Sequence, residues 1–114
     1  MKNKKKILIV GGSSGLGIYL TKLYKKNKYE VTILARNLNK KLDKSIKQLS
    51  CDVTNLNEIK NVLSKFKKEK QFFNIIIHNV GGSQKVFDYN MDSNSYKKVW
   101  ESNLGYVVEI NNFF

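Results

Sequence analysis

Apolar and polar positions along this chain follow two rhythms that take turns. Lys6 to Val10, "KILIV", is a short β-branched run stopped by Gly11 and Gly12, the pattern of a strand covered on both faces. From Gly15 to Lys26 the period changes. Leu16, Leu20, Leu23 and Tyr24 recur at helical spacing, with lysines in the last turn, where the helix dipole favours them. "EVTILA", Glu30 to Ala35, predicts a second strand, and "SIKQLS", Ser45 to Ser50, a weaker third after a polar loop. Between Asn57 and Lys70, Ile59, Val62, Leu63 and Phe66 mark one face of an amphipathic helix. "NIIIHNV", Asn74 to Val80, predicts a fourth strand ending at Gly81 and Gly82. After a loop carrying Phe87 and Tyr89, Asp92 or Ser93 caps a final helix on which Tyr96, Val99, Trp100, Asn103 and Val107 share a face.

The order β-α-β-β-α-β-α implies an α/β fold with a mostly parallel, doubly wound sheet and right-handed crossovers. Such sheets bind ligands beyond the carboxyl ends of their strands. Gly11 to Gly17, Arg36, Asp52 and Asn79 to Gly82 all fall at those ends.

With 114 residues the chain has room for one small domain, residues 1–114. Its 41% hydrophobic content and mean hydropathy of -0.42 suit a soluble globular protein rather than a disordered or membrane-embedded one. The apolar run "ILIV" is interrupted by glycines too soon for a signal peptide, and no apolar stretch reaches membrane-spanning length. A cytoplasmic protein is expected. The single cysteine, Cys51, excludes a disulfide framework and a cysteine-rich zinc site, and no metal site is expected.

A net charge of +12 raises the question of nucleic acid. Of the 21 basic residues, however, only Arg36 is arginine, and base and phosphate recognition draws on arginine's planar fork. The lysines read as a solvated surface, and no nucleic-acid or membrane partner is expected. The lone arginine gains interest accordingly.

Two stretches carry chemistry. In "VGGSSGLG", Val10 to Gly17, Gly11 permits a sharp turn and Gly15 lets a pyrophosphate approach the backbone. Gly17 permits close packing of helix on strand, and the N–H groups of Gly12, Ser13, Ser14 and Leu16 lie around the helix start that would face the anion. No Lys-Ser/Thr pair follows, so this is not a P-loop. The second is Arg36, at the end of the second strand, where dinucleotide-binding sheets carry the group that reads the adenosine ribose. A carboxylate there would bond a 2'-hydroxyl and repel a 2'-phosphate. Ala35, Arg36 and Asn37 instead suit the phosphate, so NADP is expected over NAD.

These residues together resemble the short-chain dehydrogenase/reductase family. Its T-G-x-x-x-G-x-G motif is matched from Val10 to Gly17, with valine for threonine. The resemblance implies a Rossmann-type sheet of about four strands in the order 3-2-1-4 with flanking helices. It implies that Asp52 in "CDVTN" bonds the adenine amino group while Val53 contacts the ring. The family's N-N-A-G motif is matched by "HNVG" at Asn79 and Gly81, and His78 reads as a satisfied strand-end histidine. Asn103 in "WESNLG" resembles the asparagine that helps hold a water leading to the catalytic lysine.

The resemblance spans essentially all of this chain but only the amino-terminal half of a typical member. The family's serine and its tyrosine and lysine four residues apart, which handle the substrate proton, would follow residue 114. Tyr24 and Lys28 match that spacing by coincidence, at the end of the first helix on the opposite edge of the sheet from the cofactor. The leading expectation is therefore the NADP(H)-binding portion of a short-chain oxidoreductase, truncated before its catalytic residues. It would act on a small carbonyl or alcohol only if the other half were supplied. The alternatives are a non-catalytic dinucleotide-binding module or subunit, a basic nucleic-acid-binding protein, and an inactive remnant. An open edge on strand four and the last helix are candidate homo- or hetero-oligomer contacts.

Overall fold

The computed structural model describes residues 4–13, 15–80 and 92–114. The expected loop with Phe87 and Tyr89 lies outside them, as do Gly81 and Gly82. Four parallel strands, β1 (Lys6–Val10), β2 (Glu30–Ala35), β3 (Lys47–Ser50) and β4 (Ile75–His78), form one sheet in the order β3-β2-β1-β4. In register, Ile7 lies between Val31 and Ile75, and Leu34 beside Leu49.

Residues Ile7 to Val10 have no exposed surface, because alternate side chains enter two separate cores. On one face Leu8, Val10 and Leu34 pack against Ile59, Leu63 and Phe66 of α2 (Leu56–Lys68) and against Tyr106 and Ile110. On the other, Ile7, Ile9, Val31 and Ile33 meet α1 (Gly15–Lys26) together with Leu42 and Ile46 of the β2–β3 loop. Two apolar faces are what a strand covered on both sides requires.

Several boundaries move for local reasons. The third strand begins at Lys47, since Ser45 and Ile46 are held in a turn by N–H bonds to the Asp43 carboxylate and carbonyl, at 2.8 and 3.0 Å. The helix expected from Asn57 starts at Leu56, because the Asn55 side chain accepts the N–H groups of Asn57 and Glu58. It stops at Lys68, ahead of Lys70 with φ of 52°. The fourth strand narrows to Ile75–His78, although Asn74 and Asn79 still donate N–H bonds to Lys6 and Val10, both at 2.8 Å.

The larger correction concerns the last helix. It runs as α3 (Ser93–Trp100), one π-helical turn (Glu101–Gly105) and α4 (Tyr106–Phe113). Asp92 is its N-cap, accepting the Ser95 N–H at 2.8 Å. The wide turn slips the helix phase, so the buried positions are Ser102, Tyr106 and Ile110. Tyr96, Trp100 and Asn103 of the expected face are exposed, and Val99 and Val107 only partly covered. The leucines of α1 show a similar shift. Leu16 and Leu23 face outward, while Gly17 and Thr21 are buried against the sheet. Tyr24 packs edge-on against Tyr29, beside the Glu30 N–H bond to Lys5 that opens β2. The Tyr24 and Lys28 pair therefore lies at the end of the sheet opposite the glycines, rather than at an edge. Among the described residues no helix is long and apolar enough to cross a membrane.

Candidate cofactor site

The chain leaves β1 through Gly11, whose φ of 88° is open to glycine at little cost. The Gly11 N–H donates to the Leu34 carbonyl at 2.7 Å. The turn brings Gly11 under α1 so closely that a Cβ on Gly17 would meet the Gly11 carbonyl oxygen at 1.8 Å. That carbonyl also accepts from Asn79 Nδ2 at 3.3 Å, which ties the end of β4 to the turn. Gly12 faces the core, where a Cβ would press on Ile33 at 2.5 Å. The Thr21 hydroxyl lies 2.9 Å from the Gly12 carbonyl and 2.8 Å from that of Gly17, fastening helix to turn. Gly15 differs from the others: with φ of 54°, a Cβ there would meet nothing within 4 Å. It borders open space at the helix start, where free N–H groups and the dipole favour an anion. Leu16 beside it is exposed. Ser14 and Gly81 lie outside the described residues.

Next to the turn is a cavity of about 640 Å³ at the carboxyl ends of β1, β2 and β4. Gly11, Ser13, Arg36, Asn37, Asp52, Val53 and Asn79 all line it, so seven expected site residues from four segments converge. Gly12, Gly15, Leu16 and Gly17 do not line it but shape the turn. The sequence reading missed Asn39, Lys40, Lys41 and Thr54, which also border the cavity. The lysine pair four and five residues after Arg36 was the available signal. Arg36, Lys40 and Lys41 give this wall three cations against the one carboxylate of Asp52.

Asp52 is held rigidly. Its Oδ1 accepts the Thr54 hydroxyl at 2.7 Å and the Thr54 N–H at 2.9 Å, and its own N–H donates to the Glu58 carboxylate at 3.2 Å. This leaves Oδ2 available to a ligand donor. The neighbouring Cys51 is buried, and burial first, then the Glu58 and Asp52 charges, push its thiol up to about 11. It is an inert thiol.

Asn103 stands apart. It sits in the π-helical turn and does not line the cavity; its Nδ2 donates to the Val99 carbonyl at 2.8 Å and to Ser102 Oγ at 3.2 Å. Such turns recur at functional positions. His78 is only half satisfied: Nε2 meets Asn111 Oδ1 at 3.0 Å, while Nδ1 is buried without a partner among the described residues.

The sequence profile of the short chain dehydrogenase family matches residues 5–112. The chain belongs to this family. Among its relatives, the NADP-dependent 3-hydroxy acid dehydrogenase of Schizosaccharomyces pombe is 32% identical over 102 residues, covering 77% of this chain and 39% of that protein. Among solved structures, a short chain dehydrogenase family protein from Francisella tularensis superposes with a TM-score of 0.85 at 26% identity, covering 97% of this chain and 45% of that one. A 4-hydroxyisoleucine dehydrogenase complexed with NADH gives 0.84 at 25% identity, covering 96% and 47%. This short-chain dehydrogenase chain thus spans less than half the length of these relatives.

Proposed function

We propose that the cavity binds NADP(H) and that this chain is the cofactor-holding portion of a cytoplasmic short-chain oxidoreductase acting on a carbonyl or alcohol substrate. The observation that carries the reading is the cavity itself, with a glycine turn at one end and Arg36, rather than a carboxylate, at the end of β2. The residues fit such a ligand: Gly15 opens onto free space at a helix start, where an added Cβ would meet no protein atom within 4 Å and an anion can approach the backbone N–H groups.

Within this reading Gly11 to Gly17 hold the pyrophosphate and Arg36 with Asn37 meets the 2'-phosphate. Asp52 accepts from the adenine amino group through Oδ2, and Val53 packs on the ring. Asn79 is assigned to the nicotinamide side, as is Gly81, which lies outside the described residues. When bound, the nicotinamide supplies or accepts the hydride. Asn103 is proposed to help hold a water in the proton path. The NADP-dependent name of the Schizosaccharomyces pombe relative supports the cofactor preference.

The test is the affinity of the chain for NADP and NAD before and after Arg36→Asp. NADP should weaken on the order of 100-fold and NAD by no more than about threefold, since a charge-assisted contact becomes repulsive for one ligand only. Equal loss of both would sink the preference.

A further inference from the structure

The link between β2 and β3 contains no helix; residues 36–46 are turns and bends. Asn39 organises that link through every polar group it has. Its main-chain N–H donates to Gln48 Oε1 at 2.8 Å, and Gln48 Nε2 donates back to its carbonyl at 2.9 Å. Its side-chain Oδ1 accepts the Lys41 N–H at 2.9 Å, and its Nδ2 donates to the Ser13 carbonyl at 3.1 Å. One residue therefore joins β3, the cation-bearing loop and the glycine turn.

We propose that Asn39 is a positioning residue for the 2'-phosphate, fixing the loop that carries Lys40 and Lys41 at a set distance from the glycine turn, beside Arg36, whose own carbonyl accepts the Ser50 hydroxyl at 3.0 Å. The inference rests on the NADP reading above. A dinucleotide spans both places: its pyrophosphate lies at the glycine turn and its 2'-phosphate at the end of β2. Discrimination then depends on how far apart the turn and the cations are held. Arg36, Lys40 and Lys41 are exposed and long, so without a fixed backbone each would spend ordering entropy to reach the phosphate. Asn39 fixes that backbone locally, through the Lys41 N–H, and globally, through Ser13 and Gln48. Gln48 does not line the cavity, so it acts on the ligand only through Asn39.

The experiment measures dissociation constants of the full chain for NADP and NAD by calorimetry, with thermal unfolding as a check on folding. Asn39→Ala should lower the NADP-over-NAD preference by about tenfold, and Gln48→Ala, which lies outside the cavity, by about fivefold with NAD affinity within about twofold of wild type. In a background carrying Arg36→Ala, Lys40→Ala and Lys41→Ala, adding Asn39→Ala should no longer change the preference. If Asn39→Ala does not fold, Gln48→Ala decides the matter alone. A wild-type chain without NADP preference would overturn both the NADP reading and this inference. NADP preference that depends on Arg36 yet survives Asn39→Ala and Gln48→Ala, with the NADP and NAD affinities unchanged or falling together, would overturn the inference and leave the reading intact.

Discussion

The place that a Cβ of Gly17 would occupy is taken by the carbonyl oxygen of Gly11, 1.8 Å away. Backbone cannot move aside as a side chain can, so Gly17→Ala should cost at least about 3 kcal/mol, a large share of a small domain's stability. Gly15→Ala is the contrast. Nothing lies within 4 Å of its added methyl, and only the φ of 54° is strained, which costs about 1 to 2 kcal/mol. That variant should fold, yet lose dinucleotide affinity by tenfold or more, roughly what a methyl group lodged against a bound pyrophosphate implies. Urea unfolding and calorimetry on the two variants separate a packing glycine from a ligand-facing one; a Gly17→Ala chain as stable as wild type would contradict the geometry.

Thr54 should act on the adenine end alone. Its hydroxyl and N–H both bind Asp52 Oδ1, so Thr54→Val removes one of two donors and keeps the shape. NADP and NAD should weaken together, by about threefold, with the stability change near 1 kcal/mol. A shift in the ratio of the two affinities would mean that Asp52 is not reading a group common to both.

How much of this was legible in the chain depends on distance along it. "KILIV" and "EVTILA" declare buried strands because apolar side chains fall on both faces of each run, and the glycine turn is readable because its demands are local. The last helix misled because periodicity assumes a constant pitch, and the π-helical turn at Glu101–Gly105 breaks it. Asn39 was invisible for a different reason: "NLNKK" looks like solvated loop, and its partners Ser13 and Gln48 come together only once β2 lies between β1 and β3. Side-chain hydrogen bonds across such separations leave no periodic trace.

Tyr106 and His78 meet edge-on at a centroid distance of 5.3 Å and should respond oppositely to losing their polar atoms. The Tyr106 hydroxyl donates to the Val80 carbonyl at 3.2 Å and accepts the Val80 N–H at 3.4 Å. Tyr106→Phe strands both groups at about 1 to 2 kcal/mol, seen as a lower urea midpoint at unchanged slope. His78→Phe removes a buried nitrogen that has no partner among the described residues, keeps the ring contact, and leaves only the exposed Asn111 to turn to water. It should fall within about 1 kcal/mol of wild type in either direction. A severe loss there would assign His78 a role that its hydrogen bonds do not reveal.

The buried thiol makes the fold sensitive to alkali. Burial lifts Cys51 from 9.0 to about 11 in the folded chain, and burial likewise lifts Tyr106 above its ordinary 10.0. A group whose folded pKa is raised stays protonated in the native state while the unfolded chain gives up its proton. The stabilisation is therefore complete below about pH 9 and is lost as the pH climbs through 11. For Cys51 alone the loss amounts to about 2 to 3 kcal/mol. Cys51→Ala carries its own packing cost, but that cost does not vary with pH, so the slope isolates the thiol. Urea unfolding of wild type and Cys51→Ala at several alkaline pH values should give curves that converge as the pH rises, with the variant losing less. Tyr106 remains in both chains and cancels from the difference. Parallel curves would show that the thiol ionises as readily in the folded chain as in the unfolded one.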